Sequence, residues 1–355
     1  MKKICLILFA FLILFSACGK KESFELALIT DFGNIDDKSF NQGSWEGICQ
    51  YAEENNVTYK YYKSPEQGYD AYMSIIDLAI KGGAKIVITP GIPFAAPVFT
   101  SQDLYPDVHF ILIDCEANDG GRPPVYKTSS NAVNILYAEE QAGFLAGYSA
   151  VRDGYRELGF IGGMAFPAVV RFGYGFIQGA EFAAQELALA SGSVSVHYTY
   201  TGSFQPSPET QTLAASWYNS GVEVIFACGG KMGSSVVSAA EQTGKKVIGV
   251  DKDQSEESDT IITSAMKVLQ YSVYSCIADY YAGRWPGGRS IVFSADNDGV
   301  GLPMETSKFR IFTEAQYNDV YQKLAGGEIS VMKNVENVIS PDVVPVTITR
   351  VIEIK

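Results

Sequence analysis

Along most of the chain, short apolar runs rich in β-branched residues alternate with longer stretches in which apolar residues recur every three or four positions. The first kind predicts strands over 25–30, 57–63, 85–90, 109–114, 158–164, 194–202, 222–230, 245–251, 261–266 and 290–295. The second predicts helices. One starts at Ser39, which is placed to cap it, with Trp45, Ile48, Cys49 and Ala52 on a single stripe. Another runs through AYMSIIDLAIKGGA at 71–84 and stops at a glycine pair suited to a left-handed turn. Further helices are expected over 137–152, 168–189, 206–220, 232–243, 267–282 and 313–326. Alternation of strand and helix is the mark of α/β folds with parallel sheets. Ten strands exceed one small sheet, so two sheets, each wound by helices, are expected.

The pattern breaks at the N-terminus, where MKK is followed by the apolar ICLILFAFLILF and then by SACGK. Positive charge, an apolar stretch and small residues in that order read as a secretory signal. The apolar stretch is short beside the roughly 20 residues of a membrane-spanning helix. Phe15-Ser16-Ala17-Cys18 has the form of a bacterial lipobox, so 1–17 are expected to be a removed signal peptide and Cys18 a lipidated N-terminus tethering the chain through a linker over 18–24.

Size and composition narrow the classes. A chain of 355 residues is long for one domain, and 47% hydrophobic content implies a large core. A net charge of −13 argues against nucleic-acid binding, which needs clustered cations. Only His109 and His197 are available for acid–base work near neutral pH, and neither has metal-ligand spacing. Cys49, Cys115, Cys228 and Cys276 are widely spread, without a CxxC pair, and read as buried free thiols.

Ligands of open parallel sheets bind beyond the carboxyl ends of strands. Four of the predicted strands end there in Asp31, Asp114, Gly229-Gly230 and Asp251. An aspartate after a strand also serves as a turn former or helix cap, so each one taken alone stays open between the two roles. Asp36 and Asp37 suit the loop and the helix N-terminus better than ligand contact. Phe40, where the first helix begins, and Phe204, after the strand ending TYTG, either pack in a core or form two sides of a slot for a flat heterocycle.

Motif chemistry excludes more than it supports. The acids at 31–37 lack the spacing of an EF-hand, and no metal is expected. ACGGKMG fails as a phosphate loop, with Ile225 where the first glycine belongs and Met232 in place of the hydroxyl residue. GYGFIQG at 173–179 falls inside a helix rather than after a strand, so it is no dinucleotide fingerprint. Nucleophile-elbow and zinc-protease patterns are absent, so an enzyme is not expected, and neither is a cofactor.

DFGNIDDKSFNQGSWEG at 31–47, followed by VIFACGGKMG at 224–233 and VIGVDKDQ at 247–254, resembles the basic membrane protein (BMP) family of bacterial lipoproteins, most closely its purine nucleoside receptors. The resemblance runs from about Leu26 to Pro303. It implies a type I periplasmic-binding-protein fold: two doubly wound parallel-sheet lobes joined by a three-stranded hinge, with a purine nucleoside such as adenosine, guanosine or inosine held between them. The implied lobes are discontinuous, 24–130 with 262–296 and 131–261 with 297–355, with crossings around 127–135, 252–263 and 296–302.

By the same resemblance, Phe40 and Phe204 sandwich the base, Asn41 and Asp114 read its edge, and Asp31 is a pocket-wall carboxylate. Gly229 and Gly230 bring backbone close to the sugar, Asp251 and Lys267 hold the ribose hydroxyls, and Phe172 adds an apolar contact. Lys231-Met232 departs from the smaller residues expected after the glycine pair, on the sugar side. The implied partners are an ABC permease and, through the lipid anchor, the membrane, with the protein itself a monomer outside the cytoplasm. A sugar or signal-molecule receptor of the same fold, or a surface interaction lipoprotein, are the competing expectations.

Overall fold

In a computed structural model the chain is described over residues 23–31, 33–335 and 337–354. The expected signal peptide, the lipobox with Cys18 and most of the linker lie outside the described residues.

Thirteen strands and nine α-helices follow one another among the described residues. The first half runs β1 (Leu26–Thr30), α1 (Phe40–Asn55), β2 (Tyr59–Lys63), α2 (Tyr69–Lys81), β3 (Ile86–Pro90), α3 (Ala95–Leu104), β4 (His109–Ile113), β5 (Ala132–Tyr137), α4 (Glu139–Arg152), β6 (Glu157–Gly162) and α5 (Pro167–Glu186). The second runs β7 (Val194–Tyr200), α6 (Pro208–Asn219), β8 (Val224–Cys228), α7 (Gly233–Thr243), β9 (Lys246–Asp251), β10 (Ile261–Lys267), α8 (Leu269–Tyr281), β11 (Arg289–Phe293), β12 (Val300–Gly301), α9 (Glu314–Ala325) and β13 (Thr349–Glu353).

Two sheets form. One has the order β11-β5-β4-β3-β1-β2, the other β12-β10-β9-β8-β6-β7-β13, and every pairing is parallel except that of β12 with β10. Each therefore repeats the doubly wound 2-1-3-4-5 order, with the reversal between β1 and β3 in the first lobe and between β6 and β8 in the second. Both sheets are covered by helices, which explains why β1, β3 and β8 are buried at every position and read as unbroken apolar runs.

Three passages join the lobes: Tyr137 to Glu139 through Ala138, Lys267 to Leu269 through Val268, and Phe293 to Val300. Backbone hydrogen bonds tie them together, from Ala138 N to Phe293 O at 2.9 Å and from Val268 N to Gly299 O at 3.1 Å. Two of the crossings depart from expectation. Strand β5 belongs to the first sheet and β10 to the second, so the lobe boundaries fall near 138 and 268 rather than at 130 and 262. AVNILY runs straight into AEEQAGF with no turn former between them, which hides both the strand and the point where the chain changes lobe.

Helices α4 and α5 meet at unusually short range. A Cβ on Gly147 would fall 2.0 Å from Phe176 O, and one on Gly179 would fall 1.9 Å from Phe144 O, so glycines from each helix seat the other's backbone. Gly173 to Gly179 lies within α5, as the sequence predicts. This contact fixes α5, and with it Arg171 and Phe172, beneath the space between the lobes.

Candidate ligand cleft between the lobes

The carboxyl ends of both sheets face one cleft, which with its open mouth encloses about 890 Å³. All ten expected ligand residues line it: Asp31, Phe40, Asn41 and Asp114 from the first lobe, and Phe172, Phe204, Gly229, Gly230, Asp251 and Lys267 from the second.

The N-terminus of α1 is built differently from the expectation. Ser39 occupies the capping position, but its hydroxyl donates to Asp251 on the opposite lobe. Asp37 caps instead, accepting from the backbone N–H of Ser39 at 2.9 Å, Asn41 at 2.9 Å and Gln42 at 3.0 Å. Burial pushes the Asp37 carboxyl up against the pull of those donors. Its Oδ2 also accepts from Asn41 Nδ2 at 3.1 Å, which fixes the amide. Gly33 makes the room, since a Cβ there would stand 2.3 Å from Asn41 Nδ2.

Asp114 and Asp251 each end a strand in the left-handed region, with φ of 66° and 71°, a conformation that short polar side chains tolerate. This turns both side chains toward Lys267, at the end of β10. The Lys267 ammonium, 2% exposed, lies 2.6 Å from Asp114 Oδ2 and 3.3 Å from Asp251 Oδ1. Glu139, fully buried at the start of α4, stands 3.9 Å from it and accepts from Arg171 Nε at 2.5 Å. Burial alone would lower the lysine, but Asp114, Asp251 and Glu139 outweigh it and hold the ammonium charged. Desolvation acts the other way on Asp114, whose carboxyl is pushed up to about 7 despite the lysine. The same ammonium faces the Phe40 ring, 4.6 Å from its centroid.

The opposite wall is aromatic. Phe204 meets Phe166 edge to face at 5.6 Å, and a Cβ on Gly163 would fall 2.4 Å from the Phe204 ring, so only glycine admits the ring there. Met232, expected on the sugar side, is buried in the second lobe's core, where its N–H donates to Phe204 O at 2.9 Å. Lys231 points across the cleft mouth to Asp36 at 3.0 Å. Phe172, 2% exposed, lines the cleft with its ring centroid 5.5 Å from the Lys267 ammonium and meets Phe226 edge to face at 5.8 Å.

Further contacts bridge the rim. Lys252 pairs with Glu46 at 2.6 Å and Lys38 with Glu257 at 3.2 Å, while Gln254 Nε2 donates to Lys38 O at 2.7 Å. The lobes are thus closed on one another. Among the described residues no group of His, Cys, Asp and Glu is arranged to hold a metal, and neither histidine lines the cleft. The sequence reading missed Phe166, although the strand-end rule applied to β6 leads to it. It also missed Glu139 and Arg171, whose partners are remote in sequence. No described helix is long and apolar enough to cross a membrane.

The arrangement offers aromatic faces on both lobes, buried acceptors, and an ammonium beside a carboxylate. That set suits an uncharged, flat ligand bearing hydroxyl groups.

Residues 24–335 match a family model, Bmp, described as ABC transporter substrate-binding protein PnrA-like. The "ABC transporter nucleoside-binding protein BmpA" of Lactococcus lactis is 26% identical over 314 residues, covering 82% of this chain and 84% of that protein. "Basic membrane protein B" of Borreliella burgdorferi is 27% identical over 313 residues, covering 84% and 88%. Among solved structures, a solute-binding protein of an ABC transporter system from Aeropyrum pernix superposes with a TM-score of 0.76 at 22% identity, over 88% of this chain and 94% of that one, a likeness of fold.

Proposed function

The chain belongs to the Bmp family of PnrA-like ABC transporter substrate-binding proteins, and on that premise we propose that it captures a purine nucleoside between its lobes and delivers it to a membrane permease. The family is one of binding proteins rather than enzymes, with a small-molecule ligand and a permease partner.

The observation that carries the reading is the pairing of two wall types in one cleft. Aromatic rings from opposite lobes, Phe40 and Phe204, supply faces for a base, while the Lys267 ammonium beside Asp251 supplies the donor and acceptor that vicinal hydroxyls need. A relative named as nucleoside-binding supports it. In this reading Asn41 and Asp114 meet the base edge, Asp31 closes the wall, and the Gly229-Gly230 backbone approaches the sugar. Carboxylates at Asp31, Asp114 and Asp251 disfavour a phosphorylated ligand. Opening and closing about the three passages admits and buries the ligand.

Titration of the purified, ligand-stripped protein with adenosine, guanosine and inosine in a calorimeter tests the reading, and no heat from any of them ends it. The protein acts outside the cytoplasm, held by lipid on Cys18 after loss of residues 1–17. Cys18→Ala should release it from the membrane fraction, and retention there would count against the anchor.

A further inference from the structure

Two side chains lining the cleft hold a buried oxygen that has no hydrogen-bond partner among the described residues: Asn41 Oδ1 and Asp114 Oδ1. Both residues are almost wholly buried, Asn41 at 4% exposure and the Asp114 side chain at 9%. In each case the second polar atom of the same side chain is engaged elsewhere. Asn41 Nδ2 donates to Asp37, and Asp114 Oδ2 accepts from Lys267.

The amide of Asn41 cannot turn over. Asp37 already receives three backbone N–H groups, so its oxygens act as acceptors, and only the NH₂ end of the amide can meet them. An oxygen turned toward Asp37 would set two acceptors against each other. Gly33 covers the nitrogen from the other side. What the pair of side chains offers a ligand is therefore two fixed acceptors, and buried acceptors left without a donor are costly.

We infer that the cleft selects a base that presents two adjacent N–H donors to Asn41 and Asp114, a guanine rather than an adenine. The inference rests on the nucleoside reading above. Guanine carries a ring N1–H beside an exocyclic amino group, which matches two acceptors. Adenine and cytosine place an amino group beside a bare ring nitrogen, whose lone pair would oppose one of the oxygens. Hypoxanthine keeps the ring N–H and lacks the neighbouring amino group, so inosine falls between. Asp37 is then a positioning residue for specificity, acting through Asn41, in addition to capping α1.

The test is a ligand series at pH 8 on protein stripped by unfolding and refolding, with dissociation constants measured by calorimetry. Guanosine should bind about tenfold more tightly than inosine or 1-methylguanosine, each of which lacks one donor, and about a hundredfold more tightly than adenosine. Adenosine binding as tightly as guanosine would assign the two oxygens to sugar hydroxyls and overturn the inference while leaving the nucleoside reading in place. Binding of no purine nucleoside would overturn both. In Asp37→Asn the amide is free to turn, so the guanosine-to-adenosine ratio should fall toward one in a protein whose melting curve shows it folded. An unchanged ratio would remove Asp37 from the selection, and should that variant not fold, the ligand series on the unaltered protein still decides.

Discussion

The Lys267 ammonium, carried by the second lobe, donates to Asp114 of the first at 2.6 Å. With Asp251 3.3 Å away on its own lobe, it neutralises carboxylates that closure brings together. Lys267→Met should leave Asp114 and Asp251 buried without their cation, while Glu139 keeps Arg171, and cost about 3–5 kcal/mol. Denaturant unfolding would show this as a lower midpoint at unchanged slope. Stability equal to that of the unaltered protein would mean the carboxylates are not held by this lysine.

Phe204→Ala removes one ring from the aromatic wall while leaving Met232 N–H its backbone acceptor. Nucleoside binding should weaken by about 1–3 kcal/mol, the worth of one base–aromatic stack, with the melting curve nearly unaltered. Undiminished affinity would show that the ligand does not lie against this ring.

The Asp114 carboxyl is raised to about 7 by burial, with Glu139 and Asp251 adding to the rise and Lys267 opposing it. Because Oδ2 is held by the lysine, protonation falls on Oδ1, which changes from acceptor to donor. As pH falls from 8 through 7 toward 5.5, guanosine should bind less tightly and adenosine more tightly, narrowing their ratio by about tenfold. A ratio that does not vary with pH would separate Asp114 from the base.

Glu181, on α5, accepts from Thr347 N at 2.8 Å, Thr347 Oγ1 at 2.6 Å and Thr349 N at 2.7 Å, pinning β13 to the second lobe. Burial would raise its carboxyl, but these hydrogen bonds outweigh burial and hold it at about 2. A lowered carboxyl stabilises the fold above its unfolded value of 4.5, and that contribution is lost as pH falls from there toward 2. Glu181→Gln should therefore cost about 2 kcal/mol at pH 7 and much less at pH 2.5. Equal losses at the two pH values would exclude the charge as the cause.

The rim pair Lys252–Glu46 spans the cleft at 2.6 Å while partly exposed to solvent. Lys252→Ala should speed ligand release about two- to fivefold at low ionic strength, and the difference should vanish in 1 M salt. Stopped-flow release rates would reveal it; a salt-independent difference would point to lost packing instead.

Much of the cleft was legible because strand ends in parallel sheets mark the ligand side without any knowledge of packing. That rule alone led to Asp31, Asp114, Gly229, Gly230 and Asp251, all of which line the cleft. It could not tell Ser39 from Asp37 as the cap of α1. Both are suited to the role by type and place, and the choice is made by Asp251, 212 residues away, which takes the serine hydroxyl. Glu139 and Arg171 were hidden for the same reason, since a buried charge is tolerated only through partners that sequence spacing does not reveal. Helix α3 has no counterpart among the expected helices; Pro97 stands in its first turn, where it sacrifices no internal hydrogen bond.

Ala138 is the only residue between β5 of the first sheet and α4, the first helix of the second lobe. One residue advances the chain by about 3.8 Å, too little slack for one lobe to slide over the other. With a second one-residue link at Val268, and the longer passage from Phe293 to Val300 tied to it through Val268 N and Gly299 O, the molecule moves as a jaw on a fixed axle. The arc swept by Lys252, Lys231 and Glu46 at the far edge is then a lever, enlarging whatever small rotation the ligand holds at the base. A permease that grips those edges can sense occupancy from their spacing alone, without touching the ligand.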